Sequence, residues 1–206
     1  MISQLRVKLT LAVLACAVVG SPALGQEPKP ANLPTPAVKA DLTLTDNLAE
    51  KLAPPGAGFS VLLPGKPKTQ VQDLETVTGK LTNHMYFVNA SGVIYGVMYA
   101  EFPAPITDPE IARGIFDDAR IAVVAGFSGD VKSETAITLS GYAGRELLVS
   151  LPDTGILRAR MYLVKQFLYQ AITVGVPEKN AEILKLREVD VKKFFDSFTL
   201  VQDTVK

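Results

Sequence analysis

The chain has 206 residues, 48% of them apolar, with 21 basic and 21 acidic side chains. That balance, with no basic run or stripe, argues against nucleic acid and anionic lipid surfaces as partners. A single cysteine and a single histidine exclude the usual zinc ligand sets and any internal disulfide.

Arg6 and Lys8 precede an apolar run from Leu9 to Val19, and Ser21-Pro22-Ala23-Leu24-Gly25 ends it with small residues. This is the pattern of a secretory signal peptide over residues 1–25, cleaved after Gly25. The apolar run falls short of the roughly 20 residues a membrane span requires, so a retained anchor fits less well. Cys16 as a lipid-bearing terminus also fits less well, because bulky Leu14 stands two positions before it. Removing the signal leaves a slightly acidic chain with no cysteine and no expected membrane span. An exported chain without disulfides suits a bacterial periplasm, envelope or secreted location.

Residues 26–57 are expected to form a linker, with Pro28, Pro30, Pro34 and Pro36 favouring an extended, solvated backbone. A short helix fits within Asp41 to Leu52, capped by Asp46 or Asn47 and stopped by Pro54-Pro55-Gly56. Residues 58–206, about 150 in all, are expected to form a single domain with one good core.

Within it, Gly58 to Gly65 is a strand closed by Pro64-Gly65, and Val71 to Val77 pairs with Lys80 to Val88 about Thr78-Gly79. Asn89-Ala90-Ser91-Gly92 turns the chain into a strand from Val93 to Phe102. Asp108-Pro109-Glu110 then starts a helix, with Asp as cap and Pro in the first turn. Ile111, Ile115, Phe116, Ala119, Ala122 and Val123 form its apolar stripe, and Gly126 stands where it can close the end. Strands resume at Val131 to Leu139 and Tyr142 to Leu151, joined by Ser140-Gly141, and Pro152-Asp153-Thr154-Gly155 is a strong turn signal.

Gly155 to Val176 reads as a long hairpin at the centre of the sheet. Leu157, Ala159, Met161 and Leu163 fall on one face of its first arm, and Arg158, Arg160, Tyr162 and Val164 on the other. Its bend, Lys165-Gln166, lacks Gly or Asn, so a two-residue type I′ turn would be strained and a longer or different turn is expected. After Pro177, Ile183, Leu184 and Leu186 support one helix, Asp190 caps a second running to Phe195, and Phe198 to Val201 ends as an edge strand. Hairpins, a helix, more hairpins and terminal helices make an α+β chain.

Phe59-Ser60-Val61-Leu62-Leu63-Pro64, the Arg158-Ala159-Arg160-Met161-Tyr162 strand followed by Leu168-Tyr169, and Phe194-Phe195-Asp196-Ser197-Phe198 resemble the PsbP-like domains over roughly residues 58–201. The resemblance implies an α/β/α sandwich, with a mostly antiparallel central sheet and helices on both faces. It also implies a non-enzymatic accessory or binding role.

The residues point the same way. His84 is the one imidazole, and Gly126-Phe127-Ser128-Gly129-Asp130 lacks the glycine spacing of a nucleophile elbow. Asp117 and Asp118 are adjacent on a helix and diverge, Asp73 and Glu75 share a strand face like many solvated pairs, and no phosphate or dinucleotide loop occurs. No catalytic, metal or cofactor site is therefore expected. The best candidate surface is Arg158, Arg160 and Tyr162, joined by Tyr95 and Tyr99, because Arg and Tyr favour binding hot spots. The same side chains also suit packing under a helix, with Glu101 or Glu146 as partner. The leading expectation is a non-catalytic envelope protein that binds an unknown protein or small molecule. A hydrolase using His84 and a carrier of a small apolar ligand are the alternatives.

Overall fold

The computed structural model describes residues 50–76, 79–152, 155–175 and 178–201. Strand β1 (Glu50–Leu52) pairs antiparallel with β2 (Phe59–Leu63). Residues 50–52 of the stretch expected to hold a short helix, Asp41 to Leu52, are therefore strand, and the rest of that stretch, with Asp46 and Asn47, lies outside the described residues.

A meander of β3 (Lys68–Thr76), β4 (Gly79–Ala90) and β5 (Val93–Glu101) follows. Ser91 and Gly92 join β4 to β5 with φ of 51° and 74°, the paired positive values of a type I′ turn. Helix α1 (Pro109–Phe127) then carries the chain to the far edge of the sheet. There β6 (Asp130–Leu139), β7 (Tyr142–Leu151), β8 (Gly155–Val164) and β9 (Phe167–Gly175) form a second meander that returns to pair β9 with β5. Residues 153 and 154 of the expected Pro152–Gly155 turn lie outside the described residues. The result is a seven-stranded antiparallel sheet of order β3-β4-β5-β9-β8-β7-β6, with the Gly155 hairpin at its middle. Helix α2 (Ala181–Ser197) and β10 (Thr199–Leu200) complete the chain, and β10 pairs with β2.

The two sheet faces carry separate cores. Leu157, Ala159 and Met161 pack with Ile115, Phe116, Ala119 and Val123 of α1. Tyr95, Val97, Tyr162 and Tyr169 pack with Phe59, Val61 and Leu63 of β2 and with Val191, Phe194 and Phe195 of α2. Helices on opposite faces of an antiparallel sheet make the expected α+β, α/β/α arrangement. No helix among the described residues is long and apolar enough to cross a membrane.

Several local expectations are corrected. Asp108 caps α1 as expected, its carboxylate accepting from the Glu110 amide at 2.8 Å. Ile111 is 54% exposed, because Phe116 and Val123 rotate the buried stripe of α1 away from it. Ser128, not Gly126, ends the helix in the left-handed conformation, at φ 50°. The two expected C-terminal helices are one. Asn180 takes the N-cap, no Gly or Pro interrupts residues 181–197, and Asp190 continues the helix. Leu184 and Leu186 are exposed, and the helix is anchored by Val191, Phe194 and Phe195.

The bend at Lys165-Gln166 is two residues long, since Val164 pairs with Phe167. Positive φ falls on Lys165 alone, at 53°, so the turn is not type I′. Tertiary bonds hold this turn: the Phe102 amide donates to the Gln166 carbonyl at 2.7 Å, and the Ile106 amide to the Lys165 carbonyl at 3.0 Å.

Candidate functional site

Alternation along β8 sends Arg158, Arg160 and Tyr162 to the face beneath α2 and β2. The structure divides the five candidate residues into two groups. Tyr162, Tyr95 and Tyr99 are packed: Tyr162 stacks on Phe198, Tyr95 meets Phe194 edge to face, and Tyr99 stands edge to face against Phe59. Burial is the main cause that pushes the Tyr99 phenol up to about 12, with Tyr86 and Glu101 adding to it. This phenol therefore stays neutral at physiological pH.

Arg158 and Arg160 are half-buried beside α2, with side chains 36% and 29% exposed. The Arg158 guanidinium grips the Glu188 carboxylate of α2 with both ends of its fork, at 2.9 and 3.0 Å. Arg160 donates from Nε to Glu146 of β7 at 2.5 Å, and its guanidinium lies 4.9 Å from the Phe195 ring centroid. Asp196 stands 3.6 Å from the other side of Arg160 and also accepts from Lys192, one helical turn earlier. Burial works against the charge of Arg160, but Glu146, Tyr162 and Asp196 offset it and hold its pKa above the ordinary value. The Lys192 bond is the main cause holding Asp196 below the usual carboxylate range, with Arg160 adding to it.

These side chains border a shallow cleft of about 280 Å³ between α2 and strands β6 to β8. Glu146, Arg158, Arg160 and Lys192 charge its rim, and Leu148 and Phe195 form much of its apolar lining. Reading two helices instead of one hid half of this site. On a continuous helix Glu188, Val191, Lys192 and Phe195 share one face. The Lys192–Asp196 spacing of four residues was the available signal.

His84 lies elsewhere. Its ring stacks flat on Tyr99, 4.5 Å between centroids and 6° from parallel, with Val71 as its neighbour across β3. Asp73 accepts a hydrogen bond from Thr82 at 2.8 Å, and the Glu75 side chain is not among those described. Among the described residues, no group of three or more His, Cys, Asp or Glu side chains is placed to hold a metal ion.

No protein-family model matches the chain, and neither does any curated protein. Its fold is similar to that of a cyanobacterial PsbP. The solution structure of that protein (CyanoP), from Synechocystis sp. PCC 6803, aligns with 77% of this chain and 95% of its own, at a TM-score of 0.46 and 11% identity.

Proposed function

We propose that the chain is an exported, non-catalytic binding or accessory protein of the bacterial envelope, whose partner engages the cleft at Arg158 and Arg160. The signal pattern of residues 1–25 supports export, and Pro28, Pro30, Pro34 and Pro36 support a tether. The binding domain would begin earlier than residue 58, because Glu50–Leu52 pair with β2 and Ala57 is buried in the core. The observation that carries the reading is the pairing of a bidentate Arg158 and a braced Arg160 with an apolar floor at a solvent-open cleft. Preorganised arginines beside apolar surface are the ingredients of a protein-binding hot spot.

The test is capture of envelope proteins on the immobilised chain and on its Arg158→Glu variant. A partner held by the parent and lost by a variant with an unchanged melting temperature supports the reading. Equal capture by both, or none by either, defeats it. The hydrolase alternative gives His84 a catalytic role, whereas its flat stack on Tyr99 gives it a packing role. Loss of a measured hydrolytic activity in His84→Ala would favour the enzyme.

A further inference from the structure

We propose that the face of the sheet beneath α1 holds a binding site for a soft metal ion, copper(I). The site lies across the sheet from the cleft at Arg158 and is independent of the reading above. The chain has four methionines, and the three beyond Met1 fall in one cross-strand row. Met85 of β4 pairs with Met98 of β5, Met98 with Gln170 of β9, and Gln170 with Met161 of β8. All three methionines are buried in the core packed against α1.

Methionine fills cores well, so its burial alone does not point to a ligand. Gln170 does. It is 3% exposed, and its side-chain carbonyl oxygen has no hydrogen-bond partner. Strand alternation puts it on the same face as Met98 and Met161, its direct neighbours on either side. Leu168 and Ile172, two positions away along β9, belong to the same core. A packing role alone would favour an apolar residue between them, since a buried oxygen without a donor destabilises the fold. A lone pair left open between two thioethers suits a bound cation.

The donor set selects the ion. Without thiolate or imidazole beside them, thioethers suit copper(I) rather than zinc, and an amide oxygen serves copper as a weak axial ligand. Directly paired positions lie about 4.5–5.5 Å apart at Cα, so Met98 and Met161 flank Gln170 closely. Methionine has three rotatable bonds, and both side chains can turn toward an ion seated over Gln170. Met85 extends the row by one strand toward the sheet edge, where its partner Gln70 of β3 is exposed. That end gives the ion a way in. At the other end Met161 pairs with Arg145, whose charge is met by Asp117 and Glu134, so little of it is left to repel a cation.

Titration of the full chain with copper(I) under anaerobic conditions tests this, on a Cys16→Ser background so that no thiol competes. One copper(I) should bind per chain and raise the melting temperature, and zinc should do neither. Met98→Leu and Met161→Leu nearly conserve volume, so both should fold, and each should weaken copper(I) binding about tenfold or more. Gln170→Leu separates a ligand from a packing residue. It should raise the melting temperature of the metal-free protein, by removing the unpaired oxygen, while lowering copper(I) affinity. X-ray absorption of the loaded protein should show sulfur neighbours at copper that the Met98→Leu, Met161→Leu double variant loses. No uptake of copper(I), or uptake unchanged in Met98→Leu and Met161→Leu, overturns the site. So does zinc binding that depends on the same residues. Should Met161→Leu fail to fold, Met98→Leu and Gln170→Leu decide.

Discussion

The Arg160 guanidinium of β8 faces the ring of Phe195 on α2, 4.9 Å from its centroid, while its Nε donates to Glu146 on β7. One side chain thus joins the helix to two strands. Arg158 joins the same helix through an exposed pair alone. Arg160→Ala should lower stability by about 2 kcal/mol, since it removes a cation–π contact and leaves Glu146 unpaired. Arg158→Ala should cost less than about 1 kcal/mol. Urea midpoints of the two variants, compared at constant slope, check the contrast. Equal losses would mean that Arg160 does not brace α2.

Gly144 and Gly114 should respond in opposite directions to alanine. A Cβ on Gly144 would lie 2.5 Å from the Met161 carbonyl oxygen and 2.5 Å from the Tyr162 ring. Its carbonyl neighbour belongs to the paired strand and cannot turn aside, so Gly144→Ala should destabilise by about 2 kcal/mol or more. Gly114 sits inside α1 with open space around the added carbon, and Gly114→Ala should stabilise by up to about 1 kcal/mol. Thermal melts of both proteins test the pair.

Of the serines with left-handed backbone conformations, Ser91, Ser128 and Ser140, the last two flank β6 at positions that other residues tolerate better. Ser128 ends α1 at φ 50°, and Ser140 opens the Ser140-Gly141 turn at φ 51°. Ser128→Gly and Ser140→Asn should each stabilise by up to about 1 kcal/mol. The sites lie at different ends of β6, so their effects should add in chemical denaturation. A loss of stability in either would show that the serine side chain contributes more than the backbone strain costs.

Asp118 carries a penalty that depends on pH. Burial, and then the neighbouring Asp117 carboxylate, raise its pKa above the ordinary value of 3.8. A raised carboxyl pKa means that the fold disfavours the charged form. The penalty is therefore present at pH values above the folded pKa and fades as pH falls through it toward 3.8 and below. Asp118→Asn should raise the melting temperature at pH 7 by about 1–3 °C, discounted for partial exposure, and by progressively less toward pH 3. A gain independent of pH would place the cause elsewhere.

Much of the fold was legible because its signals are local. Strict alternation along Gly155 to Val164 placed Leu157 and Met161 on one face and Tyr162 and Val164 on the other, and each face proves to carry its own core where one was expected. Asp108-Pro109 marked the start of α1, and Ser91-Gly92 and Ser140-Gly141 marked turns that the backbone adopts. The local signals misled where two of them competed. Asp190 resembles a helix cap, but in an unbroken run of helix formers Asn180 had already supplied one.

The sequence by itself determined the alternation, the start of α1 and the side of the sheet on which Arg158 and Arg160 emerge. Only the tertiary structure decided that Glu188, Lys192, Phe195 and Asp196 meet them there, and that Tyr95, Tyr99 and Tyr162 are packed away. It also decided the bend at Lys165, where amides from Phe102 and Ile106 secure a conformation that the Lys165-Gln166 pair would not choose alone. The physical reason is range. Backbone periodicity and capping act over a few residues, while ion pairs, ring contacts and turn strain are settled by partners that become neighbours only after the sheet and α2 have packed.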